Sequence, residues 1–384
     1  MKKHYQHLGV FSDLVSAIKQ SQKLFPVAKP GLKTQKLVLE TLNFSLKPEI
    51  PRQPRIERQW KKDGIEGEEI SWSVGYGPRT KAWLLRPAGV KGKLPGVLAL
   101  HDHSAYKISG IEKIADDQSK PSAAMVDFRR RCYGGRAFAN ELAREGFAVL
   151  ASDTFLWGSR RFPFQTMTEF DRQTGKHMVP FWTGDNKAYR EMYKDVIEYN
   201  SSSIYHENTV AKYCTLLDAP LAGIIAYEDR VAVNYLAERR DICNGSIGCV
   251  GLSGGGMRSG LLQATCNRIR ASVVIGAMST GEGLLDHNVV AHTWIFFPPT
   301  WSRHGDWSDL VACRAPSPLL VQYDRSDPLF TMAGMKAADR RLKMHYRTAG
   351  AAANYRGEFY PGLHKFDVPM QKSAFAWLGL HLKK

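Results

Sequence analysis

The chain has 384 residues, 43% of them hydrophobic and 11% aromatic, and carries a formal net charge of +16. This composition excludes a disordered or fibrous polypeptide and suits one large α/β domain with additions, or two smaller domains. No run reaches the eighteen or so apolar residues that a membrane span requires, so no membrane partner is expected.

The charge is unevenly placed. Residues 1–62 hold thirteen Lys or Arg against four Asp or Glu, a net +9, which leaves +7 on the remainder. These basic residues are spread among Pro48, Pro51, Pro54 and apolar side chains, without the dense basic and aromatic interleaving that favours single-stranded nucleic acid. A solvated extension that packs on the domain or on a second subunit is the expectation, with no nucleic-acid partner and with a homo-oligomer compatible. A charge of this sign also raises encounter rates with an anionic substrate. The six cysteines at 132, 214, 243, 249, 266 and 313 form no Cys-x-x-Cys pair. They read as small buried hydrophobes of a reducing compartment. Met1-Lys2-Lys3 continues into His4, Tyr5 and Gln6 rather than an apolar stretch, so a secretory signal is not expected and the location reads as cytoplasmic.

In chain order, Leu14, Val15, Ile18 and Leu24 space as a helix, and a Pro-rich connector follows. Glu68–Val74 and Thr80–Arg86 read as a strand pair joined by Gly75-Tyr76-Gly77-Pro78. Gly96–His101 is a continuous apolar run of the kind buried parallel strands show. Phe138–Arg144 patterns as a helix and Phe147–Ala151 as the next strand. Residues 155–217 are aromatic and charged with no strand periodicity, and 278–312 is similarly long. Both exceed ordinary connectors and are expected to be inserted lid loops. Their aromatic residues, among them Trp157, Phe162, Phe164, Phe181, Trp182, Trp294, Phe296, Phe297 and Trp301, fit a satellite core and a pocket lining equally well. A helix over Leu221–Arg239 precedes a strand ending at Leu252. Further strands fall at Ala271–Gly276, Leu319–Tyr323 and Glu358–Tyr360, before a closing helix, Val368–Leu378. Alternation of strand and helix from residue 95 implies an α/β fold with a mostly parallel central sheet, helices on both faces, and functional loops at the carboxyl ends of the strands. The N-terminal basic extension is set at 1–62 and the main domain at 63–384.

Gly251-Leu-Ser-Gly-Gly255 ends the strand that closes at Leu252 and opens an apolar helical pattern at Met257, Leu261 and Leu262. Glycines on either side of a serine are what a tight strand-to-helix turn needs, because side chains there collide with neighbouring elements. Such a turn lifts the Ser253 hydroxyl clear of the sheet and aims the Gly254 backbone N–H at whatever the serine attacks. A serine needs a base, and the base an orienting acid. Asp327 is the acid candidate, beyond the strand 319–323 in Asp327-Pro-Leu-Phe330, with Asp324 as competitor. His364, in Pro361-Gly-Leu-His364 between the last strand and the final helix, is the base candidate. A second oxyanion donor is expected from the backbone N–H of His103, in the loop after Gly96–Leu100. A metal site at His101, Asp102 and His103 is not expected, because adjacent side chains on an extended chain point opposite ways.

Leu100-His-Asp-His103, Asp153 with Trp157-Gly-Ser159, Gly251-Leu-Ser-Gly-Gly255, Asp327-Pro-Leu-Phe330 and Pro361-Gly-Leu-His364 occur in the order of the α/β-hydrolases. The chain resembles the dienelactone-hydrolase-like and acetyl-xylan-esterase-like branch over about residues 65–380. The resemblance implies the α/β-hydrolase fold and a cofactor-free serine hydrolase with Ser253, Asp327 and His364 as its triad. Position 253 is serine where true dienelactone hydrolases use cysteine, and the Arg-Gly-Gln motif of the related carbohydrate deacetylases is missing. The expected partner is a small-molecule ester, such as an acylated sugar or a lactone. An amidase or peptidase, or a non-catalytic binding protein on the same scaffold, are the alternatives.

Overall fold

A computed structural model describes residues 4–183, 193–287 and 289–383. Nine strands form one sheet: β1 (Arg52–Lys62), β2 (Ile65–Ser73), β3 (Thr80–Pro87), β4 (Leu94–Leu100), β5 (Ala148–Ser152), β6 (Ile242–Leu252), β7 (Ile269–Ile275), β8 (Leu319–Asp324) and β9 (Tyr355–Tyr360). Their spatial order is β1-β2-β3-β5-β4-β6-β7-β8-β9. β1, β2, β3 and β5 pair antiparallel, and every pairing from β5 through β4 to β9 is parallel. The expected α/β architecture with a mostly parallel sheet is therefore the one observed.

The central strand β4 is apolar and buried at every position because both faces of the sheet are covered. On β4, Val97 and Ala99 pack among Phe138, Leu142, Met370 and Leu378 from the helices Phe138–Arg144 and Val368–Leu382. Leu98 and Leu100 face the opposite way, among Tyr227, Val231, Leu236 and Leu262 of the helices Leu221–Glu238 and Gly254–Thr265. Period-two alternation of the backbone thus serves two layers at once.

Two expectations change. The boundary at residue 62 falls inside a hairpin, since β1 pairs with β2 from Arg52↔Ser73 to Lys62↔Ile65. Only Trp60 of β1 is buried, and the other side chains point at solvent or its border, so the strand has no readable alternation. Charged residues and Pro54 are what an exposed sheet edge tolerates, which made it read as connector. The segment before it is fastened to the same body. Val38 and Leu42 sit in the core beside Leu221, Ala222 and Ile225, and the Gly31 N–H donates to the Cys313 carbonyl at 2.8 Å.

The second change concerns the insertions, which are largely helical rather than loops. Helices Glu169–Thr183 and Lys194–Leu216 fill most of the first. They approach so closely that a Cβ on Gly175 would lie 2.4 Å from the Ser202 Cα, so small residues set their contact. The second insertion is built from the short helices Gly281–Leu285 and Trp307–Ala312 with single turns between. The insertion aromatics divide between the two expected roles. Trp157, Phe296 and Trp301 are buried in the core, Trp294 borders the cavity described below, and Phe181 is exposed. The Trp182 side chain lies outside the described residues.

Candidate active site

Five residues singled out from the sequence come together at the carboxyl ends of neighbouring strands. His103 follows β4, Ser253 follows β6, Asp327 follows β8, His364 follows β9, and Gly254 opens the helix after β6. Ser253 has φ 56° and ψ −120°, a conformation that costs a non-glycine residue of order 1–3 kcal/mol. Its own neighbours enforce it. The Ser253 N–H donates to the Ile275 carbonyl at 2.8 Å, and its carbonyl accepts from the Met257 N–H at 2.8 Å. The glycines are required sterically. A Cβ on Gly251 would lie 2.5 Å from the Gly255 carbonyl carbon, and one on Gly255 would lie 2.2 Å from the Leu100 carbonyl oxygen.

The His364 Nδ1 is hydrogen-bonded to Asp327 Oδ2 at 2.6 Å. Asp327 is itself held by the Leu329 N–H, which donates to its Oδ1 at 2.9 Å. The imidazole lies over the end of β7, where a Cβ on Gly276 would come within 2.8 Å of its Cε1. Gly276 directly follows the Ile275 whose carbonyl holds the Ser253 backbone, so His364 sits beside the serine turn. Its Nε2 is buried and has no hydrogen-bond partner among the described residues. Burial opposes a charged imidazole, yet the bonded Asp327 carboxylate, with Asp324 and Asp102 nearby, holds His364 above the usual histidine range.

Asp324 occupies a different place from Asp327. Its Oδ2 accepts the Lys365 N–H at 3.0 Å, and its buried Oδ1 has no partner. Burial lifts this carboxyl to about 7. The competitor acid thus braces the backbone next to His364, while Asp327 holds the ring. Asp324, Asp327 and His364 offer ligand atoms within 4.8 Å of one another. The 2.6 Å Nδ1–Oδ2 contact is a hydrogen bond, which leaves no room for an ion between those two atoms.

The two expected oxyanion donors are adjacent. A Cβ on Gly254 would lie 2.7 Å from the His103 backbone nitrogen. Neither the His103 nor the Gly254 N–H has a hydrogen-bond partner among the described residues. Ser253 and His364 share a cavity of about 310 Å3 with His103, Met257, Trp294, Leu329 and Phe330. A larger cavity of about 870 Å3, bordered by Tyr76, Phe162, Phe164 and Tyr199, holds none of the five residues. Geometry of attack, and not size, marks the smaller one as the candidate site.

Sequence reasoning missed Glu207, which borders the same cavity from the helix Lys194–Leu216. Its Oε2 meets His103 Nε2 at 2.7 Å and is paired with the buried Lys107 ammonium. Its Oε1 accepts from Thr293 Oγ1 at 2.6 Å and from the Trp294 N–H at 3.2 Å. One buried carboxylate therefore joins the loop after β4 to both insertions. The Ala105 N–H donates to His103 Nδ1 at 3.0 Å, so the Nε2 of that ring carries the proton shared with Glu207. Nothing in the pattern around residue 207 announces this, because a glutamate in a helix is most often solvated.

A mostly parallel sheet with helices on both faces, a serine on a strained strand-to-helix turn, and a histidine–aspartate pair in later loops define the α/β-hydrolase fold. No family model matches the chain. The sequence is 23% identical over 282 residues to YtaP of Bacillus subtilis (strain 168), a protein named provisionally as a hydrolase, covering 72% of this chain and 75% of that one. Solved structures that share the fold include two esterase-named ones. One, from Bacteroides fragilis NCTC 9343, is provisionally named an acetyl xylan esterase, with TM-score 0.62, 14% identity, and 92% and 82% of the two chains covered. The other is a glucuronoyl esterase from Solibacter usitatus, with TM-score 0.59, 14% identity, and 91% and 92% covered.

Proposed function

We propose that the chain is a serine esterase that cleaves a small carboxylic ester through an acyl-enzyme. The observation that carries this reading is the His364–Asp327 pair, unpartnered at Nε2, bordering the same cavity as the strained Ser253. The fold shared with proteins named as esterases adds support.

In this scheme His364 Nε2 takes the Ser253 proton as the hydroxyl attacks the ester carbonyl, and then delivers it to the departing alcohol. Asp327 keeps the ring in the tautomer whose Nε2 is the acceptor and steadies the imidazolium. The free N–H groups of His103 and Gly254 meet the oxygen that becomes negative. Water then repeats the attack, assisted by the same imidazole. The Oγ–Nε2 contact is expected to tighten when substrate binds. A cavity of about 310 Å3 lined by Ile204, Met257, Val290, Leu329 and Phe330 suits a compact acyl group and not a long chain.

Ser253→Ala tests the scheme. Hydrolysis of p-nitrophenyl acetate is expected to fall at least ~10⁴-fold, and labelling by a fluorophosphonate to vanish. Turnover retained in that variant rejects it.

A further inference from the structure

The side chain of Lys113 is fully buried, behind the loop that carries the His103 N–H. Its Nζ donates to the Asp102 carbonyl at 2.7 Å and to the His103 carbonyl at 3.2 Å. Other donors pull the same way. His101 Nδ1 lies 3.1 Å from the Asp102 carbonyl, and the His103 carbonyl accepts from the Tyr106 N–H at 3.1 Å. The charge is balanced locally by the Asp102 carboxylate, 3.5 Å from the ammonium, and Asp102 is in turn held by the Tyr133 hydroxyl. The turn Ile111–Lys113 is anchored as well, because the Ile111 N–H donates to Asp153 Oδ1 at 3.0 Å.

In a trans peptide the carbonyl and the N–H point in opposite directions. The peptide between Asp102 and His103 has its oxygen fastened to a buried cation, so its N–H is turned away from that cation, towards Gly254. A cation on the carbonyl oxygen also polarises the amide, and hydrogen bonds in such a chain strengthen one another by roughly 10–30%. We propose that Lys113 is a positioning residue for ester hydrolysis, which aims and polarises the His103 N–H as an oxyanion donor through the Asp102 carbonyl. The proposal rests on the serine-esterase reading, and it assigns to a lysine that never meets substrate a role in stabilising the tetrahedral intermediate. Lys113 also explains the short loop chemistry after β4: a peptide with two free rotations would present its N–H only part of the time.

Two variants and one adduct test it. Lys113→Met removes the ammonium, and Lys113→Met/Asp102→Asn removes the balancing charge with it, which spares the fold an unpaired buried carboxylate. With p-nitrophenyl acetate, kcat is expected to fall roughly 30-fold in either variant, part of the 10²–10³ that deletion of a whole oxyanion donor costs, while KM stays within about threefold. Inhibition by a boronic acid, whose adduct is tetrahedral and anionic, is expected to weaken in step with kcat. Active sites are counted by fluorophosphonate labelling, so a merely structural loss lowers the count and not the rate per site. A kcat per labelled site within threefold of the parent, or unchanged boronic acid inhibition, overturns the proposal. A crystal of the parent protein after phosphonylation decides independently of any variant. The phosphonyl oxygen is expected on the His103 and Gly254 N–H groups with the Asp102 carbonyl still on Lys113, and an oxygen directed elsewhere, or a carbonyl released from Lys113, refutes it. A parent that fails to label at all instead refutes the esterase reading.

Discussion

Gly254→Ala isolates the proposed oxyanion site without touching the proposed triad. The backbone of Gly254 lies outside the left-handed region, so alanine introduces no torsional strain there. Its methyl group, however, would stand 2.7 Å from the His103 nitrogen, 2.9 Å from the His103 Cβ and 3.2 Å from the His103 Cα. Optimal contacts for such atoms are about 3.5–4.0 Å, so the loop must retreat by roughly 0.8 Å. No rotamer relieves this, because the opposing atoms are backbone and Cβ. A donor that sat about 2.9 Å from the developing oxyanion then stands at about 3.7 Å, beyond hydrogen-bond reach. Loss of one donor is worth about 2.7 kcal/mol at the low end, a fall of ~10² in kcat, while KM for a neutral ester changes little. The crowding itself costs about 1–3 kcal/mol of stability, measurable by urea unfolding. The assay is kcat for p-nitrophenyl acetate per fluorophosphonate-labelled site. A variant within threefold of the parent means that the His103 N–H does not meet the oxyanion, and the assignment of that donor falls.

The acid limb of kcat/KM should report His364, which must be neutral to accept the serine proton. Asp327 holds that imidazole above 6.5, so activity should rise with pH through a midpoint above 6.5, and a midpoint below it contradicts the Asp327 bond. Asp327→Asn should lower kcat by ~10³–10⁴ and move the surviving midpoint downward, read from pH–rate profiles. Asp324 gives a prediction about stability. Its folded pKa of about 7 lies above the unfolded value of 3.8, so the folded state binds the extra proton between them, and stability falls as pH rises from about 4 to 7. Asp324→Asn should remove that slope, so the variant gains relative stability at pH 8 over pH 4 in thermal unfolding. A pH-independent difference refutes it.

Much of the proposed catalytic frame is legible because its residues are local signals. The Gly251-x-Ser-x-Gly255 spacing announces a turn that tolerates no side chain at its flanks, and the contacts at 2.5 Å and 2.2 Å give the reason. Asp327 and His364 are legible by position, because the parallel run from β5 to β9 puts the carboxyl ends of its strands on one rim. β1 was not legible, since an exposed edge strand with one buried residue carries no period. Neither were the helices of the first insertion, whose contact rests on small residues such as Gly175 and Ser202 and not on a wide apolar stripe.

By itself, then, the sequence determines the order of the buried strands and of the helices that cover them, and the residue types that reach the rim, because hydrophobic period and turn chemistry act within a few residues. Which polar groups face one another across that rim is decided only by the tertiary structure. Lys113 and Glu207 lie 94 positions apart in the chain, and each becomes meaningful only when burial strips it of water and leaves it one set of partners, the backbone and the ring of His103.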